Sequence, residues 1–302
     1  MAIEIDGKRI ADNILNNIYW KIYDYINKPV LSIILVGNSQ ASLLYIKKKM
    51  EACERVGIKI QLEKFNDKIE EQLILEAIER NNKDKSVNGI LVQLPLPKNL
   101  NEERILNTID YYKDVDGFHV KNIGELALNN RVPTFIPCTA LSCVKILESI
   151  NIELKGKNVT IIGKSNIVGL PLNLLLLKKG CTVTVCHIDT IDLPSHTKNA
   201  DIIISACGHP NMIKKEWIKE KSIIIDVGIN YIEDSSKKSG RKLVGDVDFD
   251  NVKEKASYIT PVPGGVGPLT VAMLISNTLK AYEIQNPFNC PINNFSLLKK
   301  IK

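Results

Sequence analysis

Hydrophobic and polar positions change period along the chain in a regular way. Residues 31–37 (LSIILVG) form a short β-branched run, and 42–57 (SLLYIKKKMEACERVG) carry apolar residues at three- and four-residue spacings. A strand followed by a helix is predicted. The alternation recurs over 59–65 (KIQLEKF), 70–82 (EEQLILEAIERNN) and 88–97 (NGILVQLPLP), so the first half reads as successive β-α units of a parallel sheet. The LPLP prolines end the last strand, because each removes a ladder donor and restricts its neighbour. A helix is predicted over 101–110, followed by a polar turn at 113–120 (KDVDGFHV) and a connection to 133–139 (PTFIPCT). Another helix, over 139–150, leads to 154–180 (LKGKNVTIIGKSNIVGLPLNLLLLKKG), the strand, glycine turn and helix of a dinucleotide-binding fold. Further strands are predicted at 182–187, 200–207 and 222–228, with 242–249 and 257–263 following. An apolar helix over 271–283 closes the fold, and the basic tail 289–302 reads as a solvated terminus. No repeat or low-complexity linker interrupts the order.

A length of 302 residues, 44% hydrophobic and 25% charged, suits roughly two domains of about 100–200 residues each and excludes disordered, collagenous and disulfide-framework chains. Lys+Arg of 40 against Asp+Glu of 34, with 6% aromatic residues, carries no nucleic-acid footprint. The excess of +6 reads as a solvated lysine-rich surface and would equally suit an anionic small molecule. No apolar stretch reaches the roughly 18 residues of a membrane span, so no membrane insertion is expected. Glu4, Asp6 and Asp12 in the opening residues fit neither a signal nor a transit peptide, which makes the cytoplasm the expected compartment. Cys53, Cys138, Cys143, Cys181, Cys186, Cys207 and Cys290 include no CxxC pair, so reduced thiols and no metal site are expected.

Three constellations carry chemistry. In Gly163-Lys-Ser-Asn-Ile-Val-Gly169 a strand ends, the backbone turns, and a helix N-terminus offers free N–H groups to a pyrophosphate; the turn could instead merely let helix and strand approach. The end of the next strand, Cys186-His187-Ile188-Asp189-Thr190, is where an adenosine ribose would be met. His187 alternates with Cys186 across the sheet and reads as a hydrogen-bonded histidine rather than a ligand. Pro261-Val-Pro-Gly-Gly-Val-Gly-Pro268 specifies a rigid loop able to bring backbone close to a flat ligand, or a domain-joining turn. Tyr45 and Lys49 share a helix face at i, i+4, a spacing that is also common surface decoration. Gln93, in an otherwise apolar strand end, needs a partner if buried, and Lys49 suits it.

Taken together, VGNSQASLLYIKKKMEACERVGI (36–58), GILVQLPLP (89–97), KDVDGFH (113–119), IPCT (136–139), IIGKSNIVGLP (161–171), IIDVGIN (224–230), GDVDF (245–249) and PVPGGVGPLT (261–270) resemble the bifunctional methylenetetrahydrofolate dehydrogenase/methenyltetrahydrofolate cyclohydrolase family nearly end to end. The resemblance implies an α/β fold of two domains across a cleft. A three-layer α/β folate domain would cover 1–137 plus 269–302, and a Rossmann-like dinucleotide-binding domain 138–268. It implies hydride transfer from 5,10-methylenetetrahydrofolate to NADP, then hydrolysis to 10-formyltetrahydrofolate, within one-carbon metabolism and purine biosynthesis. The partners implied are tetrahydrofolate derivatives and a second copy in a homodimer. No room is left for the formyltetrahydrofolate synthetase domain that some relatives append.

By the same resemblance Lys49 is the catalytic lysine, Gln93 bonds it, Tyr45 stacks near the pterin, and Asp116 holds the pterin's polar edge. Ser42, Val92, Leu94, Pro263, Gly264, Gly265, Val266 and Gly267 would complete the folate site, with Gly163, Lys164, Ser165, Ile188 and Ile229 at the cofactor. The chemistry agrees: hydride transfer asks mainly for alignment, whereas hydrolysis needs a group that holds and releases a proton. Departures from the family pattern fall at the ribose. Lys164 replaces an arginine, Ile188 a serine, and Asp189 stands where a basic residue is common, so NAD use is also predicted as possible. Ala140, Ser142 and Leu269 read as packing changes. The competing readings are a dehydrogenase without cyclohydrolase activity and a non-catalytic folate- or nucleotide-binding regulator.

Overall fold

The computed structural model describes residues 1–236 and 240–287. The chain opens with β1 (Ile3–Glu4), α1 (Gly7–Tyr23), β2 (Val30–Val36), α2 (Gln40–Val56), β3 (Lys59–Phe65), α3 (Glu71–Lys83), β4 (Gly89–Val92), α4 (Glu102–Thr108) and α5 (Val120–Ala127). It continues with α6 (Cys138–Ser149), β5 (Asn158–Ile162), α7 (Gly169–Lys178), β6 (Thr182–Cys186), α8 (Leu193–Thr197), β7 (Ile202–Ser205) and β8 (Ile223–Asp226). Last come β9 (Asn230–Glu233), β10 (Arg241–Val244), α9 (Phe249–Val252), β11 (Tyr258–Ile259) and α10 (Val266–Gln285). Among the described residues, 12–124, 133–135 and 274–287 form one compact unit, and 1–11, 125–132 and 136–273 except 237–239 form the other.

In the first unit β3, β2 and β4 make a parallel sheet with β2 in the centre. All seven residues of β2 are buried, which explains its unbroken apolar run: a strand covered on both faces has no solvent side to mark. Val30, Ile34 and Val36 join Ile74 and Ile78 of α3 and Ile105 of α4 in one core. The C-terminal half of α10 is fastened to this unit. Tyr282 stacks on Tyr25 at 5.3 Å, Asn277 donates to the Val115 carbonyl, and Gln285 to that of Asn88.

Two charged residues build the turn at 113–119. Lys113 is buried, and its ammonium donates to the carbonyls of Asn81, Asn82 and Asp84 at 2.7–2.9 Å. It thereby serves the unpaired carbonyls at the negative end of α3. Burial holds its pKa below the ordinary lysine value. Asp114 is also buried and accepts the N–H groups of Gly117, Phe118 and His119 and the Asn122 amide, so the turn is wound around a carboxylate. Burial pushes that carboxyl's pKa up, and these bonds oppose the push.

The second unit holds a six-stranded, all-parallel sheet in the order β1-β11-β8-β7-β5-β6. The expected strands at 182–187, 200–207 and 222–228 lie in it. The run at 242–249 does not continue the sheet as expected: Arg241–Val244 pairs antiparallel with Asn230–Glu233 in a separate ribbon, after which Gly245 and Asp246 turn the chain. The tail at 289–302 and Cys290 lie outside the described residues. Among the described residues no helix is long and apolar enough to cross a membrane.

Replacing Lys113 by Met leaves three helix-end carbonyls without their donor. Urea unfolding of Lys113→Met is expected to show a loss of about 1–3 kcal/mol with unchanged denaturant slope. Lys121→Met, whose ammonium lies over the exposed side of Tyr111 at 3.9 Å, should cost less than about 1 kcal/mol.

Candidate active site

One cluster belongs to the first unit. Ser42, Tyr45 and Lys49 fall at i, i+3 and i+7 on α2, hence on one helix face. Ser42 and Lys49 are buried and Tyr45 is half-buried. Lys49 Nζ donates to Gln93 Oε1 at 2.9 Å, the bond expected from the sequence. Gln93 directly follows β4, and its N–H carries the ladder one step further, to the Ile34 carbonyl at 2.9 Å. Its own amide donates to the Leu94 carbonyl at 2.7 Å, which fixes Oε1 toward the lysine. Val92 is buried at the strand end and Leu94 half-buried, before a cis peptide to Pro95.

Asp116 is half-buried in the turn that Asp114 organises. The parallel bridge between Ile90 and Asp114 runs this turn beside β4, so Asp116 emerges toward the carboxyl end where Gln93 stands. Cys53, one helical turn past Lys49, is an inert neighbour: burial pushes its thiol up to about 12 despite the lysine's charge.

The second unit carries the glycine turn. β6 and β7 flank β5 on opposite sides, so the strand order reverses there, and in such sheets ligands bind outside the carboxyl ends at that point. A Cβ at Gly163 (φ +122°) would lie 2.3 Å from the Ala206 carbonyl oxygen, and one at Gly169 would lie 1.9 Å from that of Gly163. Only glycine lets the loops after β5 and β7 and the start of α7 approach so closely, which is the cradle a dinucleotide requires. Ser165 Oγ accepts from the Val168 N–H at 3.2 Å and shapes the turn.

Lys164, Ile188 and Ile229 stand at the carboxyl ends of β5, β6 and β8, along one edge of the sheet. Lys164 lies 3.6 Å from the Asp189 carboxylate, which also stands 3.2 Å from His187 Nδ1. His187 donates its own N–H to Thr190. Among the described residues no group of His, Cys, Asp and Glu could hold a metal ion.

The loop at 261–267 packs backbone on backbone. A Cβ at Gly7 would meet the Gly265 carbonyl oxygen at 1.9 Å, and the Lys8 N–H donates to the Gly264 carbonyl. Val266 is buried and Pro263 exposed. At Gly267, by contrast, a Cβ would meet nothing within 4 Å. Gly264, at φ +115°, and Gly265, where a Cβ would lie 2.7 Å from the Pro261 carbonyl oxygen, have a structural reason to be glycine, and Gly267 faces open space.

Residues 5–116 match the tetrahydrofolate dehydrogenase/cyclohydrolase catalytic domain, and residues 137–286 the NAD(P)-binding domain of the same family. The chain belongs to the tetrahydrofolate dehydrogenase/cyclohydrolase family. It is 50% identical to the bifunctional protein FolD of Hydrogenobaculum sp. over 279 residues, covering 92% of this chain and 98% of that one. It is 52% identical over 258 residues to the mitochondrial C-1-tetrahydrofolate synthase of Saccharomyces cerevisiae, covering 85% of this chain but spanning only 26% of that longer protein. The solved methylenetetrahydrofolate dehydrogenase-cyclohydrolase of Trypanosoma brucei, complexed with NADP cofactor and inhibitor, superposes with a TM-score of 0.90 at 36% identity, covering 94% and 98% of the two chains.

Two residues of this family member received no role from the sequence: Asp226 and Asp246, both buried. Their signal was present, since a carboxylate inside an apolar run such as IIIDVG must be satisfied by hydrogen bonds. Asp226 accepts the N–H groups of Gly228, Asp246 and Val247, yet burial pushes its carboxyl up to about 7. Between pH 4 and 7 the folded chain therefore holds a proton that the unfolded chain, at the ordinary value of 3.8, has released. The stability this group adds is complete below about pH 4 and is lost as pH rises through 7. Denaturant unfolding across this window should show that component in the wild type, and Asp226→Asn should flatten it.

Proposed function

We propose that this chain binds folate through the Lys49 cluster of one unit and dinucleotide through the Gly163 turn of the other. It oxidises 5,10-methylenetetrahydrofolate to the 5,10-methenyl compound and hydrolyses that to 10-formyltetrahydrofolate. The observation that carries the reading is the buried Lys49–Gln93 hydrogen bond at the end of β4. An amino group oriented in such a buried setting costs desolvation, and a role in carrying protons accounts for its presence there.

In the hydrolysis, water adds to the methenyl carbon and gives up a proton. The bond from that carbon to N5 then breaks as N5 gains a proton and the new hydroxyl loses one, so the net reaction releases one proton. Lys49 Nζ takes the proton from the attacking oxygen and delivers one to N5 as the C–N5 bond breaks, and Gln93 Oε1 keeps the amine pointed there. Tyr45 supports the pterin ring, Asp116 accepts from its polar edge, and Ser42 orients the neighbouring polar groups. Val92 and Leu94 line the folate beside them.

For the oxidation the residues need only align the reacting carbon. NADP, when bound, accepts the hydride. Gly163, Lys164 and Ser165 hold its phosphates, with Ile188 and Ile229 along the edge of the sheet. Support comes from the family's NAD(P)-binding domain and from the NADP complex of the Trypanosoma relative. The Asp189 carboxylate beside Lys164 favours a second reading, in which NAD is also accepted, because a carboxylate repels a 2′-phosphate and accepts from a free 2′-hydroxyl. The proposal includes a cytoplasmic homodimer whose product suits purine biosynthesis.

Absorbance assays with methylene- and methenyltetrahydrofolate test both steps. Lys49→Met is expected to lower cyclohydrolase turnover by about 10²–10⁴-fold. Full cyclohydrolase turnover in that variant would overturn the role of Lys49. Run with each cofactor, the dehydrogenase assay should show a higher kcat/KM with NADP than with NAD, and Asp189→Ser should widen the gap.

A further inference from the structure

Asp246 lies in GDVDF, a segment that the catalytic reading leaves without a task. Its carboxylate is completely buried. Oδ2 accepts from Ser205 Oγ at 3.1 Å, from the Cys207 N–H at 2.9 Å and from the Gly208 N–H at 3.3 Å. The Cys207 thiol donates to it as well, at 3.3 Å. Oδ1 accepts from the His209 N–H at 3.0 Å and from the Asn230 amide at 2.8 Å. The carboxylate's acceptor capacity is thereby spent on the last residue of β7 and on two loops, the one after β7 (206–209) and the one after β8 (227–230).

The carboxylate is itself held in place, because the Asp246 N–H donates to Asp226 at the end of β8. A Cβ at Gly228 would come within 2.2 Å of Asp246 Oδ1, so glycine there is what admits the carboxylate between the loops. The loop after β7 is also the one that Gly163 touches, through the Ala206 carbonyl. In a sheet of this order the pyrophosphate sits at the glycine turn and the adenosine lies toward β6. The other half of the dinucleotide must then extend over the ends of β7 and β8, the two loops that Asp246 ties together.

We propose that Asp246 is a positioning residue for the dinucleotide: an anionic post that holds the 206–209 and 227–230 loops in the shape that receives the nicotinamide half, without touching it. The inference rests on the dinucleotide reading above. Charge-assisted bonds to fixed N–H donors are strong and directional, which suits a scaffold that must not yield when a ligand arrives. A neutral amide cannot replace it, since its NH₂ would face donors on one side.

The test separates this role from general packing. Hydrolysis of methenyltetrahydrofolate consumes no dinucleotide, so cyclohydrolase turnover measured without cofactor reports the folate chemistry alone. NADP binding is measured directly by titration calorimetry on the folded protein. Asp246→Asn is expected to raise the Kd for NADP at least tenfold, with cyclohydrolase turnover within twofold of wild type. Asn230→Ala, which removes one donor at the half-buried rim, is expected to raise the Kd severalfold with cyclohydrolase turnover within twofold of wild type, and decides the matter if Asp246→Asn does not fold. An unchanged Kd in the folded variants overturns the proposal, as does a parallel loss of both activities. If the wild-type chain binds neither NADP nor NAD, the dinucleotide reading fails and the proposal with it; wild-type binding with unaffected variants fails the proposal alone.

Discussion

A buried carboxylate must be hydrogen-bonded on both oxygens or it does not stay buried, and both units of this protein hang their working loops on that constraint. Asp114 winds the turn that presents Asp116 around four donors within the next eight residues. Asp226 and Asp246 do the corresponding work at the carboxyl edge of the six-stranded sheet, where the donors are loop N–H groups that a sheet leaves unpaired. The carboxyl groups thus serve as scaffold: they satisfy backbone that could otherwise be satisfied only by water, and in doing so they fix loops that must be both exposed and rigid.

The parallel sheets supply what such loops are attached to. Because every strand of the six-stranded sheet runs the same way, the residues after β5, β6, β7 and β8 all emerge at one edge, and the reversal of strand order at β5 opens a place there for an anion. In the other unit the same logic brings Gln93 to the end of β4, where its side chain turns from strand packing to holding Lys49. One chemistry needs alignment and the other a proton carrier, and the two units hold the residue types that suit each.

The strong periodicities were legible in the sequence: 31–37 with 42–57, the glycine turn at 163–169, and the three apolar strands that follow it all form as read. The Lys49–Gln93 bond was legible too, because an amide in an apolar run demands a partner. Other elements were not. Two-residue β1 has no period to detect and exists only because Tyr258–Ile259, near the far end of the chain, pairs with it. The helix over Gly7–Tyr23 carries asparagines along its middle and no acidic residue in its first turn, and its start is marked only by Asp6, which accepts the Arg9 N–H at 2.9 Å. The run at 242–249 looks like one strand, but Gly245 and Asp246 are demanded by the buried carboxylates and break it after Val244. Ser205 and Asn230, which bind Asp246, stand 41 and 16 positions away, a distance over which no local pattern speaks.

Two buried lysines show how the structure divides chemistry from scaffold. Lys113 spends all three donors on carbonyls at the end of α3 and has none left to offer a ligand. Lys49 gives one to Gln93, an acceptor whose own amide is tied to the Leu94 carbonyl and so cannot turn away. Both sit in nearly equal burial, at 7% and 8% exposure, so burial does not distinguish them. The number of donors committed does. A lysine whose ammonium is aimed by one fixed acceptor can still exchange a proton with a bound molecule, whereas one enclosed by three carbonyls can only hold the backbone around it.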